Sequence, residues 1–179
     1  MQDMLLLTMC KQGDRDGLRR IYEKYRDGLL ILAIALSGDV NISEDAVHDT
    51  FVKFAGSVRD FKLTGSLRAY LAACVANRVR DLIRTRRNQA CSLEQHRLSS
   101  VDLNDPSRAV ICNEQLERLS SALAGLPHEQ REAVVLRAYG QMRFSVIAKS
   151  LGVSVNTVKG RYRYGIGKLR SILNGEVRK

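Results

Sequence analysis

From Leu18 onward the apolar residues Ile21, Tyr22, Tyr25, Leu29, Leu32, Ala33 and Leu36 recur every three or four positions. This is the stripe of a helix packed on one face, and it limits the fold more than any other feature of the chain. β-Branched residues form no alternating runs, and only two prolines, Pro106 and Pro127, occur in 179 residues, so strands find little support. The chain is expected to be all-α.

Gly38-Asp39-Val40-Asn41 reads as a stop and turn. Ser43 is the expected cap of the next helix, with Glu44 and Asp45 in its first turn, where carboxylates complement the helix dipole. Val47, Phe51 and Phe54 form its buried side. A turn around residues 62–66 precedes a helix from about Leu67 to Arg87, which buries Leu71, Cys74 or Val75, Val79 and Leu82. Residues 88–112 are polar and lack a sustained period, the mark of a linker. Beyond them the pattern predicts a helix around Asn113–Leu123, a break at Gly125-Leu126-Pro127, a helix over His128–Tyr139, a turn at Gly140 and two more helices. The expected architecture is two small helical domains, residues 1–90 and 113–179, joined by a flexible linker of residues 91–112.

Charge is divided as unevenly as structure. The formal net charge of +10 breaks into −1 over residues 1–67, +5 over 68–90, −3 over 91–132 and +9 over 133–179. No carboxylate lies between Glu132 and Glu176. A merely solvated surface mixes its signs, so two one-signed stretches indicate two contacts with a polyanion.

Several classes of protein are disfavoured by composition. No apolar run approaches the roughly 20 residues of a membrane span, and the first residues lack a basic flank and a small-residue cleavage site. A cytoplasmic protein without membrane insertion is expected. Cys10, Cys74, Cys91 and Cys112 form no close pair, so neither a disulfide framework nor a zinc site is expected. His48, His96 and His128 stand apart, with no glycine loop for phosphate. No catalytic residue, metal or cofactor is assigned.

The sharpest local signal lies between Phe144 and Lys159. Ala148 is small where two helices would cross, and Gly152 permits the positive φ of a tight turn. Ile147, Leu151, Val153, Val155 and Val158 fill the space between the helices, while Ser154 can cap the second of them. This is the pattern of a helix-turn-helix. Its second helix would keep Val158, Tyr162, Ile166, Leu169 and Leu173 inward and turn Asn156, Lys159, Arg161, Arg163, Lys168 and Arg170 outward. A helix so placed enters the major groove and reads bases with its N-terminal residues. Asn156, Thr157 and Lys159 are the first base-reading candidates, and Arg161, Arg163 and Lys168 are suited to phosphates. Gly165 and Gly167 each weaken this helix by roughly 1 kcal/mol relative to alanine.

The two halves taken together resemble a sigma-70 family RNA polymerase sigma factor of the extracytoplasmic function (ECF) type. In the first half the likeness rests on Gly13-Asp14 with Leu18, Ile21, Tyr22 and Tyr25, on Ser43 through Phe54, on Phe61 through Leu71, and on Asn77, Asp81 and the Arg84–Arg87 cluster. In the second it rests on Leu123 through Val134 and on the helix-turn-helix. The resemblance implies sigma region 2 followed by region 4, with core RNA polymerase and promoter DNA as partners and an anti-sigma factor as a further one. It also implies the roles of individual residues. Asp45, His48, Asp49 and Lys53 would dock on polymerase. Lys62, Thr64, Arg68, Asn77, Arg80, Arg84 and Arg87 would recognise and open the -10 element, with the Phe61–Ser66 loop as a base pocket. Ser154, Asn156, Thr157, Lys159, Arg161, Arg163 and Lys168 would read the -35 element.

Blander roles stay open at two places. Asp45 and Asp49 could serve only the helix dipole, and Asn77 could bond to backbone within the bundle. A helix-turn-helix regulator that binds duplex without polymerase is the rival reading. An RNA-binding helical module would fit the charge but leave the helix-turn-helix unexplained.

Overall fold

The computed structural model describes residues 2–63, 65–92 and 114–175. Among these, eight helices and no strands are found: α1 (Gln2–Lys11), α2 (Arg15–Ser37), α3 (Val40–Ser57), α4 (Leu67–Ser92), α5 (Glu114–Ala124), α6 (His128–Ala138), α7 (Phe144–Leu151) and α8 (Val155–Leu173).

Helix α2 is the axis of the first half. Asp14 caps its start by accepting from the Asp16 N–H, and its stripe of Ile21, Tyr25, Leu29, Leu32, Ala33 and Leu36 is buried against α1, α3 and α4. Helix α1 has no counterpart among the sequence expectations. Leu6, Leu7 and Cys10 bury its inner side, and the Asp3 carboxylate accepts from Tyr25 Oη at 2.6 Å and Lys24 Nζ at 2.7 Å. A ten-residue helix with three buried positions gives too short a period to read in isolation.

Helix α2 ends where expected, with Gly38 in the left-handed region at φ 70°. The cap of α3 differs from expectation. Asp39, not Ser43, accepts the Ile42 N–H, at 3.0 Å, so α3 begins at Val40 and Glu44 and Asp45 lie beyond its first turn. Ser43 is fully buried and its hydroxyl donates back to the Asp39 carbonyl at 2.6 Å. Either residue type can cap. The burial of Ser43 against the Ser37 hydroxyl at 2.9 Å decides between them.

In the second half α6 packs across α8 at Gly165. A Cβ there would stand 2.8 Å from a Val134 methyl, so this glycine admits the crossing rather than merely weakening the helix. Gly167 faces open space. Ala133, Leu136, Met142, Ile147, Ala148 and Val158 belong to the same apolar cluster as Leu29, Leu71 and Val75 of the first half. The core therefore continues from one half into the other.

Candidate nucleic-acid interface

The turn between α7 and α8 is built as its residue types require. Gly152 takes φ 65° and its N–H returns to the Ala148 carbonyl. Ser154 Oγ accepts the Thr157 N–H at 3.0 Å and lies 2.8 Å from the Thr157 hydroxyl. Both hydroxyls thus have local partners, leaving Asn156 and Lys159 as the exposed polar side chains of the first turn. Arg163, Lys168 and Arg170 are exposed further along and Arg161 is half-buried. On the inner side Val158 is fully buried, and Tyr162, Ile166 and Leu169 are half-buried. Val155 and Leu173, expected inward, are both exposed. Tyr164, which the sequence reading passed over, is 62% exposed, with the Arg163 guanidinium 5.2 Å from its ring centre. An aromatic residue among outward cations was the available signal.

Helix α4 carries the second basic surface, and its cations have different surroundings. Asn77, Arg80, Arg84 and Arg87 follow one another at intervals of three and four, so the structure brings them onto one stripe. Arg80 Nε meets the Glu132 carboxylate of α6 at 2.7 Å, while its terminal nitrogen donates to Asn77 Oδ1 at 2.6 Å and Ser150 Oγ at 3.3 Å. Ser150 Oγ also donates to Asn77 Oδ1 at 3.2 Å. Asn77 is thus engaged by side chains, not by the backbone partner considered above. Arg84 pairs with Asp81 at 3.1 Å, both well exposed, and Arg87 is exposed. Arg68 lies 5.6 Å from the Tyr139 ring centre. Lys62 is exposed, and Thr64 lies outside the described residues.

The loop before α4 is anchored by aromatics. Phe61 packs edge-on against Phe54 at 5.4 Å and against Tyr70 at 4.6 Å between ring centres. Beside this cluster α3 and α4 flank a cleft of about 230 Å³ lined by Thr50, Lys53, Tyr70, Cys74, Asn77 and Arg78. This cleft lies between two helices, and its lining includes none of the residues of the Phe61–Ser66 loop expected to form the base pocket. Burial raises the pKa of the Cys74 thiol, and also that of Cys10, which favours the unreactive thiol form. The Cys91 side chain and Cys112 lie outside the described residues.

The third surface is the outward side of α3. Asp45, His48 and Lys53 are exposed, and Asp49 is held by Arg78 of α4 at 2.6 Å. Val52 is 57% exposed and follows Asp45 and His48 on the same stripe. The sequence reading missed it, although an apolar residue at i+7 on a polar stripe was legible. Among the described residues no group of three or more His, Cys, Asp and Glu side chains could hold a metal ion, and no helix is long and apolar enough to cross a membrane.

The order of these surfaces along the chain matches known proteins. The family model described as Sigma-70 region 2 matches residues 21–89, and that described as Sigma-70, region 4 matches residues 116–169. The chain belongs to the sigma-70 family. The RNA polymerase sigma factor CnrH of Cupriavidus metallidurans is 28% identical, over 99% of this chain and 97% of CnrH. The ECF RNA polymerase sigma factor SigK of Mycobacterium ulcerans is 25% identical over 94% of this chain and 92% of its own length. In the solved complex of CnrH with the cytosolic domain of CnrY, CnrH superposes with a TM-score of 0.66 at 26% identity, covering 98% of this chain and 99% of that one. The sigma factor RpoE of Bartonella quintana, solved with the anti-sigma factor NepR, shares the fold with a TM-score of 0.71 at 24% identity, covering 90% of this chain and 98% of RpoE. This sigma-70 protein is of the ECF type, and it directs core RNA polymerase to promoters.

Proposed function

We propose that the sigma factor grips its promoter at two places and polymerase at a third. Helix α8 lies in the major groove of the -35 duplex, with Asn156 and Lys159 reaching base edges and Arg161, Arg163 and Lys168 holding phosphates. Ser154 and Thr157 shape the helix start and offer their remaining hydrogen-bonding capacity to the same site. Helix α4 and the loop before it take the opened -10 strand. Lys62, Thr64, Arg68, Arg80, Arg84 and Arg87 follow its phosphates, while the cleft beside Asn77 and Tyr70 accepts a base removed from the stack. Asp45, His48, Asp49, Lys53 and the newly found Val52 form the polymerase-docking stripe, in which exposed charge steers and an apolar centre anchors.

The observation that carries this reading is the Ser154-capped α8 with exposed Asn156 and Lys159, in a stretch without carboxylates from Glu132 to Glu176. The assigned units are residues 1–90, a linker of residues 91–112, and residues 113–179. Such a protein works in the cytoplasm, performs no catalysis of its own and needs no cofactor. An anti-sigma factor is a suitable regulator, as RpoE has NepR.

The test is transcription in vitro with core polymerase and a promoter library. Initiation that depends on this chain and on paired -35 and -10 sequences is expected. Lys159→Ala should weaken -35 binding and relax discrimination at the base pair it contacts. Arg161→Ala should likewise weaken -35 binding, and an unchanged affinity in either variant counts against this face. No initiation, together with tight duplex binding by the protein alone, would favour a regulator that acts without polymerase.

A further inference from the structure

Of the six tyrosines and four phenylalanines of the chain, Tyr164 is the most exposed, at 62%. Tyr22 and Tyr70, the next in order, are each packed on a phenylalanine ring, Phe51 and Phe61 respectively. Tyr164 instead has a cation beside it, with the Arg163 guanidinium 5.2 Å from its ring centre. It stands on the helix proposed to read the -35 duplex, yet none of the roles assigned to that helix uses a ring.

The place of Tyr164 on α8 gives the ring its direction. Thr157, Gly160, Tyr164 and Lys168 follow one another at intervals of three and four, so they share one stripe, which starts beside Asn156 in the proposed base-reading turn. A Cβ at Gly160, or at Gly167 one turn beyond Tyr164, would meet nothing within 4 Å. The ring therefore has bare backbone one turn before it and one turn after. Gly165, the adjacent residue, is buried where α8 crosses Val134 of α6. Tyr164 is thus presented from the turn at which the helix is seated, and a rigid support is what a specific contact needs. At a rise of about 1.5 Å per residue it lies about 10 Å beyond Thr157 along α8, or roughly three base pairs of duplex.

Arg161, Arg163 and Lys168 already serve the phosphates, so the Tyr164 hydroxyl adds little that these cations lack. What the ring adds is apolar surface, and the apolar group that base edges offer in the major groove is the 5-methyl of thymine. We infer that Tyr164 is a specificity-determining residue of α8, its ring packing on a thymine methyl in the -35 element, about three base pairs from the turn that holds Asn156 and Thr157. This rests on the -35 assignment above. The Arg163 guanidinium braces the ring and remains exposed for a phosphate, so the methyl and the strand beside it are met together.

The test uses the full chain assembled with core polymerase, and a promoter whose initiation depends on this chain. Each thymine of its -35 element is replaced in turn by deoxyuridine, which lacks only the 5-methyl. At one of these positions wild type should bind about fourfold more weakly, the worth of one buried methyl-sized group. Tyr164→Ala should lose about the same factor on the thymine promoter and show no thymine–uracil difference there. Tyr164→Phe should keep both the affinity and the difference. The position is exposed and alanine is the better helix former, so the alanine variant folds.

Equal affinity of wild type for every deoxyuridine promoter would overturn the inference. So would a thymine–uracil difference that survives in Tyr164→Ala, or a loss in Tyr164→Phe as large as that in Tyr164→Ala, which would give the contact to the hydroxyl. A scrambled -35 element separates the two ideas. If scrambling weakens wild-type binding and no deoxyuridine does, only the role of Tyr164 fails. If scrambling changes nothing, the -35 assignment of α8 fails as well.

Discussion

Helices α4 and α8 each carry a row of cations, but they use them differently. On α4, Arg78 meets Asp49, Arg80 meets Glu132, Arg84 meets Asp81 and Arg86 meets Asp39. Three of these four pairs join α4 to another part of the fold. On α8 no ion pair occurs among the described residues, and most of its cations face outward. Two basic stretches of similar appearance in sequence therefore differ in available charge. The arginines of α4 are largely fasteners until a stronger anion competes for them, whereas those of α8 are ready for a phosphate from the start.

The largest expected effect that would sharpen this contrast concerns how α8 is held, since it lacks such fasteners. Gly165→Ala pushes a Cβ to within 2.8 Å of Val134 and 3.2 Å of the Gln130 carbonyl, and overpacking of this kind costs about 1–3 kcal/mol. Two residues on, Gly167→Ala meets nothing within 4 Å and should stabilise by about 1 kcal/mol. Thermal or urea unfolding measures both. Equal effects of the same sign would mean that α8 is not seated on α6 at Gly165.

A smaller effect tests the cations themselves. Arg78→Ala should lower stability by up to about 1 kcal/mol, as expected for a partly exposed pair, because Arg78 is bonded to Asp49 through two nitrogens at 2.6 and 2.7 Å. Lys159→Ala should leave stability within about 0.5 kcal/mol of wild type, as surface substitutions usually do, while weakening duplex binding. If Lys159→Ala proved the more destabilising of the two, the division into fasteners and free cations would fail.

Much of this was legible in the sequence, for identifiable reasons. The stripe of α2, the cap at Ser154 and the turn at Gly152 are local, and local rules determined them. The two charge blocks were visible too, but their pairing was not: Arg80 and Glu132 are 52 positions apart, and no period or spacing links them. Ser43 and Asp39 were equally good caps by type, and burial beside Ser37 distinguished them. Gly165 and Gly167 were indistinguishable until α6 was laid across one of them. The -35 candidates were the most readable because their helix faces outward. The -10 candidates were less so because the second half of the chain packs on them.

Acid provides the finest test of the same contrast. In the first half, burial alone would raise the pKa of Asp3, but hydrogen bonds from Lys24 and Tyr25 outweigh it and hold the carboxylate below its ordinary 3.8. Burial would likewise raise that of Asp39, and the Ile42 N–H and Arg86 hold it below the same value. A carboxylate whose pKa is depressed by folding contributes stability that is complete above its unfolded value and disappears as pH falls through the folded one. The attachment of α1 and the cap of α3 should therefore weaken below pH 3.8. Helices α7 and α8 lie in a stretch without a carboxylate between Glu132 and Glu176 and have no such fasteners to lose. Hydrogen exchange across an acid series should show α1 and the first turn of α3 losing protection before the α7–α8 turn. Asp39→Asn should remove part of the acid sensitivity of α3, because it keeps a capping side chain but has no charge to titrate. Protection lost first at the α7–α8 turn would break the contrast, placing the acid-labile contacts in the half that carries the free cations.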